Sequence, residues 1–138
     1  MTMTHDDARA RGAEWARAWN ARDIDAVLAH FVDDVTFLSP VAADVVGTPE
    51  LRGKPALRAY WERALARIRH LHFTVERVLW DDEAGELVVL YVAELDARRT
   101  RACERMKLDP EGRVTFAEAL YGASLTAPTT ERGSGTAI

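Results

Sequence analysis

Hydrophobic and polar positions follow a helical period through most of the first half of this chain and a period of two from Leu71 onward. Thr4 followed by Asp7 has the form of a capping box and opens a helix running to about Asn20, with Ala8, Gly12, Trp15, Ala16 and Trp19 on one face. Asp23 caps a second helix, in which Ile24, Val27, Leu28 and Phe31 recur at i, i+3, i+4 and i+7. The β-branched and aromatic run V-T-F-L at 35–38 predicts a short strand, ended by Ser39-Pro40, with a loop to about Gly53. Pro55 suits the first turn of a third helix, with Leu57, Tyr60, Trp61, Leu65 and Ile68 as its buried stripe. Residues Leu71–Trp80, Leu87–Leu95, Thr100–Leu108 and Val114–Tyr121 then predict four strands separated by the turn-forming runs D-D-E-A-G-E, D-A-R-R and D-P-E-G-R.

Short connections imply an antiparallel meander, and helices followed by strands imply an α+β domain with three helices on one face of a curved sheet. A sheet curled round helices leaves a pocket in its mouth, a usual place for a small ligand. The expected organisation is one domain over residues 1–122 and a small, polar, Gly/Ser-rich tail over 123–138, flexible or packed on late. The strand Leu87–Leu95 is apolar on both faces through L-V-V-L-Y-V-A. Helices cover one face, and a second copy of the chain covering the other predicts a homodimer.

Composition narrows the function classes. With 138 residues, 48% apolar and 29% charged, the chain has the make-up of an ordinary globular domain. A net charge of −4 argues against a nucleic-acid partner, and the runs R-A-R at 9–11 and R-R-T-R at 98–101 read as solvated faces. The single cysteine, Cys103, excludes an internal disulfide. The N-terminus lacks signal-peptide layout, and no apolar run approaches the ~20 residues of a membrane span, so a cytoplasmic location without membrane contact is expected. No phosphate-binding Gly motif appears, and His5, His30, His70 and His72 have no metal-site spacing, so neither cofactor nor metal is expected.

One residue stands out chemically. In R-A-C-E-R-M-K-L at 101–108, Ala102, Glu104, Met106 and Leu108 share a face that belongs against a core or cavity. Desolvation raises the pKa of an acid placed there, which makes Glu104 the candidate acid, base or ligand anchor; the competing reading is a structural acid paired with a helix arginine. On the last strand Ala117, Ala119 and Tyr121 share a face, giving either space with a polar handle or a tight helix contact. Trp15, Trp19, Phe31, Phe37, Tyr60 and Trp61 either wall a pocket or form plain core, and Tyr60 and Trp61 cannot face the same way on one helix. Ser39 has no neighbouring base to activate it, and either orients a ligand at the rim or serves the turn before Pro40.

The order W-A-R-A-W-N-A-R-D-I-D-A-V-L-A-H-F, V-D-D-V-T-F-L-S-P, L-R-G-K-P-A-L-R-A-Y-W, F-T-V-E-R-V and D-P-E-G-R-V resembles the nuclear transport factor 2-like superfamily, in its SnoaL-like and ketosteroid isomerase-like branch. The resemblance covers roughly residues 8 to 122. It implies a cystatin-like, cone-shaped α+β fold whose curved antiparallel sheet wraps three N-terminal helices around an apolar cavity, often as a dimer. Laid along this chain, the isomerase's oxyanion-hole acid falls on Glu104, its base on Ser39 and its oxyanion-hole tyrosine on Trp15. Steroid isomerisation by that mechanism is therefore not expected. The epoxide hydrolase pattern requires an arginine where this chain has Ala102, and no second acid stands at Ala117 or Ala119. Two readings follow. One is a pocket protein for a compact apolar ligand bearing a ketone, enol or hydroxyl, acting as a cofactor-free isomerase, cyclase or dehydratase through Glu104, with Ala102, Met106, Ala117, Ala119, Tyr121, Ser39 and the aromatic residues around the substrate. The other is a non-catalytic ligand-binding or dimerisation module of the same fold.

Overall fold

A computed structural model gives the architecture and describes residues 2–126. In chain order the elements are α1 His5–Asn20, α2 Ile24–Leu28, β1 Phe31–Leu38, α3 Pro40–Val46, β2 Glu50–Arg52, α4 Lys54–Ala66, β3 Leu71–Asp81, β4 Glu86–Leu95, β5 Arg98–Leu108 and β6 Val114–Ser124. The capping box forms: Asp7 N–H donates to Thr4 Oγ1 at 3.0 Å and Thr4 N–H to Asp7 Oδ2 at 2.9 Å. Asp23 caps α2 by accepting from Ala26 N–H at 3.0 Å, and α4 carries its proline in the first turn.

The strands make one curved sheet in the order β2-β1-β6-β5-β4-β3. Strands β3 to β6 form the expected antiparallel meander. Three features depart from the sequence reading. The sheet is mixed, because β1 pairs parallel with β6. Phe31 belongs to β1 and not to α2; a register shift between Phe31 and Thr36 and the exposed acids Asp33 and Asp34 interrupt the alternation that would have announced so early a start. The expected loop at 39–53 contains a fourth helix and a short strand. Ser39 caps α3, Pro40 begins it, and Gly47 ends it in the left-handed region at φ 86°. Only Ala42 of α3 is buried, so no apolar stripe marks it. At the other end β6 continues to Ser124, and Leu125 N–H donates to Arg99 O at 2.7 Å; residues 127–138 of the expected tail lie outside the described residues.

The helices cover one face of the sheet and enclose the core. At the β3 edge the Asn20 amide bonds both backbone groups of Phe73, donating to its carbonyl at 3.0 Å and accepting from its N–H at 2.6 Å. That contact satisfies an exposed edge and fixes α1 across the sheet. Gly12 is the point of closest approach, since a Cβ there would stand 2.6 Å from Val78 Cγ2 and 3.6 Å from Val89 Cγ2. An alanine gains about 1 kcal/mol of helix propensity, but overpacking against a stiff valine costs about 1–3 kcal/mol. Gly12→Ala is expected to destabilise in urea unfolding, and adding Val78→Ala is expected to cost less than the sum of the single changes. Strict additivity would show that the two side chains do not meet.

Candidate active site

On β5 the side chains of Ala102, Glu104 and Met106 are buried under the helices, as their alternation requires, and Leu108 is half-buried. Val89 on β4 and Ala119 on β6 flank Glu104 across the sheet, so its nearest strand neighbours are apolar. Glu104 is 3% exposed, and its Oε2 accepts a hydrogen bond from Trp15 Nε1 at 3.1 Å. Among the described residues no arginine pairs with it. The adjacent Arg105 points to the outer face, where it bridges Glu86 and Glu118 at 3.2 and 2.9 Å. Burial pushes the Glu104 carboxyl up to about 7, and the Trp15 N–H offsets only part of that rise. A neutral donor stabilises the ionised form less than a cation would, so the group changes protonation near neutrality. Trp15 is held in turn by stacking on Phe73 at 5.5 Å and by an edge contact with Tyr91 at 4.8 Å.

A second polar group lies beyond Ala119. In β1, Leu38 stands beside Glu118, and Ser39 continues one extended residue further. Ser39 is 1% exposed, its Oγ accepts from Val41 N–H at 3.2 Å, and Tyr60 Oη lies 3.5 Å away. The Tyr121 phenol also interacts with the Ser39 hydroxyl. Burial raises the pKa of both phenols, Tyr60 to about 12, and the nearby Glu104 charge acts in the same sense. These hydroxyls stay protonated at any working pH and serve as hydrogen-bonding groups.

The residues singled out from sequence divide into groups. Glu104 and Trp15 meet directly, and Ser39, Tyr60 and Tyr121 cluster. Ala117 and Ala119 are buried between them on β6, with Met106 and Phe37 on either side of Ala117. Tyr60 and Trp61 do point differently: Tyr60 toward Ser39 and Phe37, Trp61 toward Trp19, Phe31 and Phe37. Trp19 and Trp61 thus belong to an aromatic core, and their indole N–H groups are buried without a hydrogen-bond partner among the described residues. Sequence reasoning missed Tyr91 as a site residue. It lies opposite Ala102, fully buried beside Trp15, and burial first and the Glu104 charge second hold its phenol far above the ordinary range. Its signal was alternation with Val89 and Ala93, hidden in a run apolar on both faces. Among the described residues no group of three or more His, Cys, Asp or Glu is placed to hold a metal ion.

The SnoaL-like domain model matches residues 13–119. The chain belongs to the SnoaL-like domain family. A SnoaL-like protein of unknown function from Burkholderia thailandensis is 33% identical and superposes with a TM-score of 0.79, over 89% of this chain and all of its own (100%). The epoxide hydrolase/cyclase-like enzyme SalBIII, of pyran ring formation in the polyether salinomycin, is 21% identical with a TM-score of 0.66, over 85% of this chain and 92% of its own. An NTF2-like protein of unknown function from Cytophaga hutchinsonii is 14% identical with a TM-score of 0.60, over 88% of this chain and 93% of its own. No curated protein matches the chain. These likenesses place this SnoaL-like protein in the nuclear transport factor 2-like superfamily, whose α+β fold hosts cyclases and isomerases among other activities. Among the described residues no helix is long and apolar enough to cross a membrane.

Proposed function

We propose that this SnoaL-like protein binds a compact apolar ligand carrying a ketone, enol or hydroxyl group and moves a proton on it through Glu104, without a cofactor. The observation that carries this reading is a carboxyl buried in an apolar sheet face, bonded by a neutral indole and paired with no cation among the described residues. Such a group costs folding free energy and offers no ion pair in return, which work on a ligand accounts for, and it gains and loses a proton near neutral pH, as a general acid or base requires. Isomerisation, cyclisation and dehydration each include such a transfer, and in isomerisation the same carboxyl can return at a second atom the proton it removed at the first. Epoxide opening is not proposed, because Ala102, Ala117 and Ala119 stand where the epoxide hydrolase pattern places its other charged groups.

A thermal-shift screen of small cyclic ketones, phenols and terpenoids tests the reading. A chemically related set of ligands is expected to raise Tm, by about 2.7 kcal/mol of stability at a hundredfold excess over Kd. Glu104→Gln is expected to alter that set and to remove most turnover of any ligand that reacts. Unchanged turnover would reject Glu104 as the acid or base. A non-catalytic binding module is the alternative, and its support is that Glu104 is the only buried acid among the described residues. Binding without turnover, in wild type and variant alike, would decide for it.

The protein is further proposed to be a cytoplasmic homodimer. What supports the dimer is the outer face of the sheet, where Leu79 and Leu120 are 47% and 42% exposed beside half-buried Val88 and Leu90. A hollow of about 650 Å³ on this side is lined by Arg77, Leu90, Cys103 and Leu120 among others. Light scattering at micromolar concentration is expected to give twice the 15.4 kDa chain mass. Leu120→Glu is expected to shift it toward the monomer, and a monomeric wild type would reject the proposal.

A further inference from the structure

Building on the proposed ligand site, we infer that it recognises a neutral ligand at two points, with Glu104 at one pole and the Ser39–Tyr60–Tyr121 hydroxyl cluster at the other, across the floor formed by Ala119. The register provides the geometry. Glu104 lies directly opposite Ala119 on one side, and Leu38 lies opposite Glu118 on the other. Ser39, one extended residue beyond Leu38 (φ −154°, ψ 133°), therefore comes alongside Ala119. With strands spaced at about 4.8 Å, the Ser39 and Glu104 backbones stand about 10 Å apart with a methyl group between them. Both side chains are buried on the helix-covered side, and Tyr60 reaches Ser39 from α4 above.

The hydrogen-bonding state of the second pole favours a ligand contact. The 3.5 Å separation of Ser39 Oγ and Tyr60 Oη is long beside the ~2.8 Å of a well-formed O–H···O bond, so the two hydroxyls hold each other only loosely. A ligand oxygen within reach of both replaces this long contact by better-formed ones, at the cost of its own desolvation. The charge pattern restricts what that oxygen belongs to. Apart from tyrosines and tryptophans, Ser39 and Glu104 are the only buried polar or charged residues among the described ones, and no lysine or arginine is buried with them. A carboxylate or phosphate bound there would be an unpaired buried anion beside an acid, which is strongly unfavourable. The ligand class is accordingly a small carbocycle with oxygen functions at opposite ends, both neutral, as in a hydroxyketone or a diketone.

Isothermal titration calorimetry at about pH 6 with 1-tetralone and 6-hydroxy-1-tetralone tests this. The second compound adds a hydroxyl at the far end of the same bicyclic frame. Wild type is expected to bind the hydroxyketone about tenfold more tightly, a loss or gain of one good hydrogen bond. The preference, read as the ratio of the two affinities in each variant, is expected to fall below about threefold in Tyr60→Phe and to vanish in Tyr60→Phe with Tyr121→Phe. Equal affinity of wild type for both compounds, or a preference untouched in the double variant, would overturn the second pole and leave the Glu104 reading standing. If neither compound binds, and the broader screen is also empty, both readings fail together.

Discussion

At about pH 8 the Glu104→Gln protein is expected to be more stable relative to wild type than it is at about pH 5, with the difference growing by about 3 kcal/mol between them. Burial raises the Glu104 carboxyl from 4.5 to about 7 in the folded protein, against the pull of the Trp15 N–H. Between those values the folded chain keeps a proton that the unfolded chain has released, so wild-type stability falls as pH rises through this window and levels off above it. At ~1.4 kcal/mol per pH unit the window is worth about 3 kcal/mol. Glutamine keeps the carbonyl that accepts from Trp15 and never ionises, so the variant lacks this slope. Other groups titrate in wild type as well. His30 is held below its ordinary range by burial, and its contribution runs the other way, stability being gained as pH rises. Asp7 and Asp96 are held low by backbone hydrogen bonds and lose their contribution only in acid. All three are common to both proteins and cancel in the difference. Chemical denaturation of the pair across pH measures it directly, and parallel curves would mean that Glu104 is solvated in the folded state.

Trp61→Ala is expected to cost about 3–5 kcal/mol. Trp61 is fully buried and touches Trp19, Phe31 and Phe37 at ring separations of 4.8, 5.9 and 5.6 Å, so it joins α1, β1 and α4 in one cluster. A cavity of that size cannot collapse without moving a helix off the sheet. Trp61→Phe is expected to cost far less, about 1–2 kcal/mol, because the lost ring area is partly offset by removing a buried N–H that has no partner among the described residues. Differential scanning calorimetry is expected to show the alanine variant losing more than about 10 °C in Tm and the phenylalanine variant only a few degrees. Equal losses would place the weight on the indole N–H and contradict the packing account.

Much of this follows from local chemistry. A serine, threonine or aspartate three residues before a matching donor caps a helix wherever it sits, which is why α1 and α2 begin where Thr4 and Asp23 predict. Period-two alternation is equally local, so the four strands of the meander and the inward direction of Glu104 were legible before any contact was known. Helix α3 and strand β2 were not, because each is short and almost unburied and its sequence carries no period. The parallel pairing of β1 with β6 was illegible for a different reason. It joins residues far apart in the chain, and nothing in either strand encodes its distant partner. That pairing is what carries Ser39 to the far side of Ala119 from Glu104 and lets Tyr60 reach it from α4. The sequence alone thus determined that an acid is buried on an apolar strand face. Only the tertiary structure decided that its partner is an indole and not an arginine, and that a hydroxyl cluster faces it across a methyl group, because a side chain's partner depends on which distant segments pack against it.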